Sequence, residues 1–222
     1  MTSNIEIDCQ HPDTINYQDH WNNAYAKTQL ENLGWYEEKS IATIQLIQKT
    51  KLPLDGTILN VGSGSSTLID DLLELGYTNI IVNDISSDAL NALENRLGNT
   101  GDKVQYIVDD LTNPTKLQEL STIDLWNDRA VLHFFVTENQ RTAYFDLLKK
   151  VVQKNGFVII STFAVDGAKK CCGLEVCQYD PELLSNYLGN DFKLLEAFNY
   201  TFTNSNGDSK PYVYTLFKRV QL

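Results

Sequence analysis

Short apolar runs recur along the chain and are separated by longer segments in which apolar residues are spaced differently. The runs cover residues 58–61, 79–83, 104–108, 123–126 and 157–163. Short runs of this kind are typical of strands in a parallel sheet, because helices cover both faces of such a sheet. The pattern therefore predicts five strands.

Between the strands, apolar residues lie three and four positions apart, as on one face of a helix. One such segment opens at Trp35 and ends before Pro53, because proline does not continue a helix. The same spacing predicts helices over residues 67–75, 90–97, 144–152 and 181–188. The chain is thus expected to consist of five strand-helix units in an α/β fold.

Polar residues mark the ends of these predicted helices. Thr67 and Asp70 have the spacing of a capping box, and Ser86 or Ser87 is suited to cap the following helix. The pair 155–156, Asn-Gly, is expected to end the helix that precedes the fifth strand.

The end of the chain has a different character. Residues 192–202 and 212–217 are strand-like, and the connection 204–211 contains Asn206-Gly207, a typical hairpin turn. The whole pattern predicts an α/β fold with a doubly wound, seven-stranded, mostly parallel sheet that closes with a C-terminal antiparallel hairpin. A dinucleotide-binding dehydrogenase differs, because its sixth strand is parallel and is reached through a helix.

The 222 residues suffice for one sizeable α/β domain and are few for two independent cores. We therefore expect a single domain over residues 1–222. Within it, residues 1–50 form an N-terminal cap or lid and residues 55–222 form the core. Residues 1–19 are polar and unpatterned, with a break at His11-Pro12-Asp13, so a loose lead-in is expected.

The formal net charge is −11, and no cluster of Lys or Arg interrupts the acidic composition. Such a surface repels phosphate backbones, which argues against nucleic acid as a partner and leaves small molecules or a basic protein segment. No apolar run is long enough to span a bilayer, and the first residues lack the pattern of a secretory signal. We expect a cytoplasmic protein without a membrane partner; the oligomeric state stays open.

Four cysteines occur, at positions 9, 171, 172 and 177. In a cytoplasmic chain they are expected to be thiols. Their spacing does not match a structural zinc site and the three histidines lie far from them in sequence, so no metal site is predicted. An alternative is that Cys171 and Cys172 offer soft sulfur to a metalloid such as arsenite.

The first candidate chemistry lies after the strand over residues 58–61, which runs into Gly62-Ser-Gly64 before a helix. Glycines allow a tight turn and close approach of backbone to ligand, and the free N–H groups at a helix start attract acceptor groups. Asp84 ends the second strand, where a carboxylate suits the diol of a ribose. A plain strand-to-helix turn also carries glycines, but the acid favours a nucleoside-type cofactor.

Acidic residues follow the third and fourth strands in the same way, at Asp110 and Asp128. Open parallel sheets bind ligands at the carboxyl ends of their strands. We therefore expect Gly62, Asp84, Asp110 and Asp128 to line one crevice.

These landmarks, together with Lys154-Asn-Gly156 and the closing hairpin, resemble the class I S-adenosylmethionine-dependent methyltransferases. The resemblance extends from about residue 21 to residue 220. It implies a Rossmann-like fold, methyltransferase activity and S-adenosyl-L-methionine as the cofactor.

The resemblance also implies roles for individual residues. Gly62 and Gly64 would pack against the methionine part of the cofactor, Asp84 would hold the ribose hydroxyls, and Asp110 with Leu111 would bind adenine. Further candidate cofactor contacts are Asn60, Ile85 and Asn127.

The glycine loop departs from the pattern Asp-x-Gly-x-Gly-x-Gly that is frequent in the family. Asn60 replaces the acid and Ser66 replaces the third glycine. Asn60 is still able to orient the loop, and Ser66 is suited to cap the helix that follows.

Two groups within the superfamily share further motifs with this chain. His20-Trp-Asn and Trp35-Tyr36 resemble the protein-lysine methyltransferases that modify elongation factor 1A or citrate synthase. Those enzymes typically continue with Asp-Lys-Gly-Thr after strand four, where this chain has Asn127-Asp-Arg-Ala. The segments 128–134 and 171–176 resemble, more closely, bacterial methyltransferases without an assigned substrate. The acceptor is therefore a nitrogen, oxygen or sulfur atom of a small molecule or protein, with protein lysine as the alternative.

Methyl transfer from a sulfonium is an in-line displacement, so the enzyme mainly aligns donor and acceptor and excludes water. A base is needed only if the acceptor arrives protonated. Asp128 and His133 are the candidate bases. Each has a structural alternative, as a helix cap for Asp128 and as a packed side chain for His133.

Four aromatic residues precede the first strand: Trp21, Tyr25, Trp35 and Tyr36. They are candidates for a lid whose ring faces attract a sulfonium or a cationic acceptor, or else they anchor an N-terminal helix on the core. Arg129 is a candidate ligand for a carboxylate or phosphate of the substrate, or the partner of a neighbouring acid.

Two other classes of function serve as alternatives. A nicotinamide-dependent oxidoreductase is disfavoured by the tail hairpin and by the lack of Tyr-x-x-x-Lys, because Leu148 lies four residues after Tyr144. A methyltransferase-like protein that binds its cofactor or a partner without catalysis is the other. We interpret the chain as an active methyltransferase.

Overall fold

The computed structural model describes residues 15–204 and 207–220. The predictions for Cys9, for the break at residues 11–13 and for Asn206 in the hairpin turn lie outside the described residues. The helices are α1 (Tyr17–Lys27), α2 (Ile41–Thr50), α3 (Leu68–Glu74), α4 (Ser87–Leu97), α5 (Glu138–Val151) and α6 (Pro181–Leu188). Short 3₁₀ helices cover Leu30–Asn32, Gly98–Lys103, Leu117–Glu119 and Leu132–Phe134.

Seven strands form the main sheet and two more form a small hairpin. The strands are β1 (Ile58–Val61), β2 (Ile80–Asp84), β3 (Val104–Val108), β4 (Ile123–Arg129), β5 (Val152–Phe163), β6 (Lys170–Cys171), β7 (Leu174–Glu175), β8 (Phe192–Thr203) and β9 (Ser209–Arg219). β6 and β7 pair antiparallel outside the main sheet.

The main sheet has the order β3-β2-β1-β4-β5-β9-β8. Its first five strands are parallel, and β9 runs antiparallel to both β5 and β8. This arrangement confirms the predicted doubly wound, mostly parallel sheet with a C-terminal antiparallel hairpin. Strand order reverses between β1 and β4, and ligands bind at such a switch point in open α/β sheets.

Helices cover both faces of the sheet, which explains why β1 and β2 are buried along their whole length. On one face the core includes apolar residues of α2, α3 and α4, and on the other face it includes those of α5 and α6. No helix in residues 15–204 or 207–220 is both long and apolar enough to cross a membrane.

The N-terminal segment differs in detail from the sequence-based prediction. A helix, α1, begins at Tyr17, within the stretch predicted as a loose lead-in. The helix expected to open at Trp35 begins only at Ile41, because residues 35–40 form turns and bends, in which Glu37 pairs with Arg129. α2 packs into the core whereas α1 lies over the strand ends, and the division at residue 50 stays a prediction.

Several helix boundaries also differ. Thr67 does not cap α3, because its hydroxyl donates to the carbonyl of Glu37; Ser66 Oγ instead accepts from the Leu68 N–H. Ser86, rather than Ser87, caps α4 by accepting from the backbone N–H of residue 89.

Two strand-helix connections were also predicted wrongly. Within the described residues, β3 is followed by the 3₁₀ turn Leu117–Glu119 and not by an α-helix. The pair 155–156 lies inside β5, which begins at Val152, and Asn155 has a positive φ of 67°. β5 is therefore irregular at this pair. Its register against β4 shifts here, since Ile123 pairs with Val152 whereas Leu125 pairs with Phe157.

Candidate active site

A cavity of about 930 Å³, counting the part open to solvent, lies at the carboxyl ends of the parallel strands. On the β1-β2-β3 side, the acidic half, it is lined by Gly62, Asp84, Ile85, Asp109, Asp110 and Leu111. On the β4-β5-β9 side, the aromatic half, it is lined by Trp21, Trp35, Arg129, His133, Lys210 and Tyr212, whereas Tyr25 lies between the halves against Gly64. The sheet edge thus brings together most of the residues singled out from the sequence.

Asp84 of the acidic half is held by backbone donors on both of its carboxylate oxygens. Its Oδ2 accepts a 2.7 Å hydrogen bond from the Gly64 N–H, and its Oδ1 accepts one of 2.8 Å from the Ser86 N–H. Burial raises the pKa of Asp84 to about 6, although these backbone donors oppose the shift. The carboxylate is held in one orientation at the end of β2.

The glycine loop needs its glycines for two physical reasons. Gly62 and Gly64 have φ values of +53° and +52°, in the left-handed region. A Cβ at Gly62 would lie 2.1 Å from Cγ2 of Val131, and one at Gly64 would lie 1.9 Å from the Tyr25 hydroxyl. The loop therefore has no room for side chains at these two positions.

Asn60 and Asn127 do not line this cavity but line the smaller neighbouring one, which shares Gly62 with it, so their contact with the cofactor stays a prediction. They are register partners on β1 and β4, and both are buried. Asn127 Nδ2 donates to Asn60 Oδ1, and Asn60 Nδ2 donates to the Ser63 hydroxyl inside the glycine loop. Their amides brace the loop from below.

At the end of β3, Asp110 and Leu111 line the acidic half as expected. Asp110 Oδ1 accepts from both the N–H and the hydroxyl of Thr112, at 2.7 and 2.8 Å. Its neighbour Asp109 accepts from the N–H groups of residues 115, 116 and 117 and so holds the turn that follows.

Helix α1 presents one face to the cavity. Tyr17, Trp21 and Tyr25, spaced four residues apart, all line it. Gln18 Nε2 donates to the Ile85 carbonyl. No residue of α1 is fully buried, so the helix rests on the strand ends without entering the core.

The aromatic residues of the predicted lid are in contact, with one exception. Trp21 and Trp35 meet edge to face with ring centroids 5.7 Å apart, and the Trp35 indole N–H donates to the Tyr25 hydroxyl at 3.2 Å. Tyr36 does not line this cavity and lies instead on a smaller neighbouring one with Asn60.

His133 lies in the 3₁₀ turn Leu132–Phe134, at the wall of the aromatic half. Its Nδ1 is 3.2 Å from the Thr162 hydroxyl and its ring stacks on Phe163, whereas its buried Nε2 has no hydrogen-bond partner within the described residues. Burial, with Lys210 and Arg129 nearby, lowers the pKa of His133 to about 3. The imidazole is therefore neutral near pH 7.

Asp128 has a different place from the one predicted for a base. It is fully buried, does not line the cavity, and accepts from the N–H groups of Val131 and Leu132 at 3.0 and 3.1 Å. The Tyr144 hydroxyl donates to its Oδ2 at 2.7 Å. Because Asp128 is buried and both of its oxygens accept from the N–H groups of the turn that follows, the geometry argues for the capping alternative.

Arg129 extends from the end of β4 between the cavity and Glu37. Its Nε forms a 2.9 Å ion pair with Glu37, and its Nη1 donates to the Trp35 carbonyl at 3.0 Å. The guanidinium also lies 5.1 Å from the ring of Phe202. The arginine thus both pairs with an acid and faces the cavity.

The sequence had no signal for Lys210 and Tyr212 as lining residues, because β9 reaches the site only through the sheet order. Tyr17 was missed although its four-residue spacing from Trp21 would have revealed it. Cys171 lines the aromatic half and its Sγ lies 3.6 Å from that of Cys172. Residues 15–204 and 207–220 contain no cluster of three or more potential metal ligands.

Comparison with known proteins assigns the site to a family. Residues 58–156, from β1 into β5, match the family described as "Methyltransferase domain". The chain is similar to EEF1A lysine methyltransferase 2 of Homo sapiens, at 23% identity over 215 residues, which cover 89% of this chain and 84% of the relative. The chain contains a methyltransferase domain of the class I S-adenosylmethionine-dependent type. It is an enzyme of that class, and its cofactor is S-adenosyl-L-methionine.

Two further comparisons agree with the assignment of this methyltransferase. EEF1A lysine methyltransferase 2 of Mus musculus is 26% identical over 170 residues, which cover 68% of this chain and 67% of the relative. The fold matches that of a SAM-dependent methyltransferase from Anabaena variabilis with a TM-score of 0.77 at 17% identity, covering 96% of this chain and 98% of the other. Neither the oxidoreductase nor the non-catalytic alternative is supported by these relatives.

Proposed function

We propose that this methyltransferase binds S-adenosyl-L-methionine in the acidic half of the cavity and methylates a nitrogen, oxygen or sulfur atom of a small molecule in the aromatic half. The observation that carries the proposal is that Asp84 and His133 line the same cavity. A donor and an acceptor bound there would share one space, which in-line displacement requires.

The acidic half fits a ribose and a base. Each carboxylate oxygen of Asp84 accepts one backbone hydrogen bond and keeps further lone pairs for a diol. Gly62 and Ile85 flank this carboxylate, and Leu111 offers an apolar surface for adenine. When bound, the cofactor supplies a sulfonium methyl group that is open to attack by a nucleophile.

The residues of the aromatic half would orient the acceptor. His133 Nε2 is buried and has no partner within the described residues, and in the tautomer whose Nδ1 donates to the Thr162 hydroxyl it would receive a hydrogen bond from an O–H or N–H of the substrate. That bond would direct a lone pair of the same substrate atom toward the donor. We assign His133 as the group that touches the acceptor and Asp128 as the cap of its turn.

The rings of α1 would exclude water. Trp21 and Tyr25 cover the strand ends, and Trp35 holds the Tyr25 hydroxyl. Removing water strengthens the electrostatic interactions within such a site. A cover of this kind supports a small acceptor that fits inside the cavity.

A lysine side chain of a protein is the second candidate acceptor. It is favoured by the relatives named EEF1A lysine methyltransferase 2, which match 89% of this chain in the human case. We also propose the cytoplasm as the compartment of the enzyme, in keeping with thiols rather than a disulfide at Cys171 and Cys172.

Calorimetric titration of the purified protein with S-adenosylhomocysteine and with NADH tests the cofactor site. We expect binding of the first alone, and its loss in Asp84→Ala. Binding of NADH would contradict the proposed site. So would binding of S-adenosylhomocysteine to Asp84→Ala with the affinity of the wild type.

Release of S-adenosylhomocysteine, measured with panels of small amines, hydroxyl compounds and thiols and with purified elongation factor 1A, tests the acceptor class. His133→Gln should lower turnover with the accepted substrate about tenfold or more while cofactor affinity stays unchanged, since the loss is confined to acceptor orientation. Turnover with elongation factor 1A alone would replace the small-molecule proposal by the lysine alternative.

A further inference from the structure

Two cationic side chains, Arg129 and Lys210, line the aromatic half of the cavity. Among the described residues that line the cavity, the carboxylates are Asp84, Asp109 and Asp110, and all three belong to the acidic half. Glu37, which lies outside the lining, pairs with Arg129, so the positive charge that no acid balances on the wall of the aromatic half is that of Lys210.

The Nη2 of Arg129, which carries two N–H bonds, has no partner within the described residues. Glu37 engages the Nε of this arginine and the Trp35 carbonyl engages its Nη1, whereas Nη2 is buried. A buried donor left unpaired costs free energy, so an oxygen of a ligand at this position would be stabilising. The guanidinium is already fixed by its other contacts, so a ligand would meet a preorganised donor.

Lys210 is the second cation and comes from β9. Its Nζ donates to the carbonyl of Gly34 at 3.1 Å, and no carboxylate of the described chain lies within ion-pair distance of it. Lys210 and Arg129 line the same cavity as His133. The pair thus faces the position proposed for the acceptor.

Resting on the proposed function, we propose that the methyl acceptor carries a carboxylate on an aromatic or apolar body, and that Arg129 and Lys210 bind this carboxylate. Charge-assisted hydrogen bonds to a carboxylate are stronger than those between neutral groups. The rings of Trp21, Trp35 and Tyr212 supply apolar surface for the rest of the molecule. A lysine ammonium would instead meet the like charge of Lys210, which disfavours the protein-lysine alternative.

The position of Lys210 separates this site from the cofactor site. β9 lies three strands beyond β1 in the sheet, which corresponds to roughly 14 Å at the usual strand spacing. Gly62 follows β1, and the methionine part of the cofactor is expected there. A carboxylate at Lys210 is therefore assigned to the acceptor and not to the cofactor.

The test is calorimetric titration of protein saturated with S-adenosylhomocysteine. The probes are two matched pairs, benzoate with benzamide and indole-3-acetate with indole-3-acetamide. We expect each acid to bind about tenfold or more tightly than its amide, and Lys210→Met to abolish that preference. Lys193→Met, which removes an exposed lysine of β8, should keep the preference.

The outcomes separate this inference from the proposed function. The inference is overturned if neither acid binds, if acid and amide bind equally, or if Lys210→Met keeps the preference. It is also overturned if Lys210→Met weakens the binding of S-adenosylhomocysteine, because Lys210 would then bind the carboxylate of the cofactor. Failure of the wild-type protein to bind S-adenosylhomocysteine would instead contradict the proposed function.

Discussion

The backbone N–H of Gly64 donates a 2.7 Å hydrogen bond to Oδ2 of Asp84, twenty residues further along the chain. This bond joins the glycine loop after β1 to the end of β2. The sequence predicted a cofactor contact for the glycine loop and for Asp84 as two separate motifs. The structure makes them one unit, since movement of the loop would also release the carboxylate.

Asp84→Asn is expected to weaken S-adenosylhomocysteine binding about 10- to 100-fold, because hydrogen bonds to a charged carboxylate contribute about 1.5–3 kcal/mol. In the wild-type protein the affinity should fall as the pH drops below about 6, where Asp84 takes up a proton. Calorimetry between pH 5 and pH 8 checks both effects.

Asp88→Asn, at an exposed site in the first turn of α4, is the matched control and should bind like the wild type. If the affinity of Asp84→Asn for S-adenosylhomocysteine depends on pH as that of the wild type does, a group other than Asp84 causes the pH dependence.

Gly64→Ala should lower stability, because alanine is strained at a positive φ and its Cβ would overlap the Tyr25 hydroxyl. We expect a cost of about 1–3 kcal/mol in the free energy of unfolding, measured with urea. In a Tyr25→Ala background the cost should be smaller, because only the backbone strain remains. If Gly64→Ala lowers the free energy of unfolding equally in both backgrounds, the Tyr25 ring moves aside without an energetic cost.

The buried carboxyl of Asp128 is expected to make the free energy of unfolding depend on pH. Burial raises its pKa to about 7 in the folded protein, despite hydrogen bonds from Tyr144 and from the turn. The folded state therefore binds this proton more tightly than the unfolded state, whose pKa is near 3.9. The stabilising effect of the proton is complete below about pH 4 and is lost as the pH rises through about 7.

Asp128→Asn removes this titration. Between pH 5 and pH 7 the wild type should lose stability relative to the variant by about 2–3 kcal/mol, at about 1.4 kcal/mol per pH unit. Urea unfolding at both pH values checks the difference. Parallel curves for the two proteins would mean that Asp128 is ionised throughout this range.

The thiols of Cys171 and Cys172 make a prediction for reactivity. The hydrogen bond from Cys172, together with the charge of Lys210, holds the pKa of the Cys171 thiol below its ordinary value. Cys171 should therefore react with iodoacetamide at a lower pH than Cys177, which is buried. Mass spectrometry of the labelled peptides measures both rates.

Lys210→Met should shift the labelling profile of Cys171 toward higher pH. Cys172→Ser removes the thiol donor and should shift it in the same direction, because the hydrogen bond is the larger cause. If neither variant moves the profile, the local charge does not govern this thiol.

Much of the fold was predictable because its main strands are short, apolar and bounded by glycine or acid. β1, β2 and the hairpin of β8 and β9 agree with the sequence pattern, and Ser86 caps α4 as its type suggests. Boundaries were missed where a side chain found a distant partner. Thr67 bonds to Glu37 across the fold, so its local capping signal was overridden.

The candidate site divides in the same way. The sequence by itself determined the acidic half, because Gly62, Asp84 and Asp110 end consecutive strands of a parallel sheet and must meet at one edge. Only the tertiary structure decided the aromatic half. Lys210 reaches it through the antiparallel placement of β9, and Asp128 is turned away from it by the turn that it caps. Local periodicity specifies which residues end a strand, whereas the direction of a side chain and its distant neighbours depend on packing across the whole sheet.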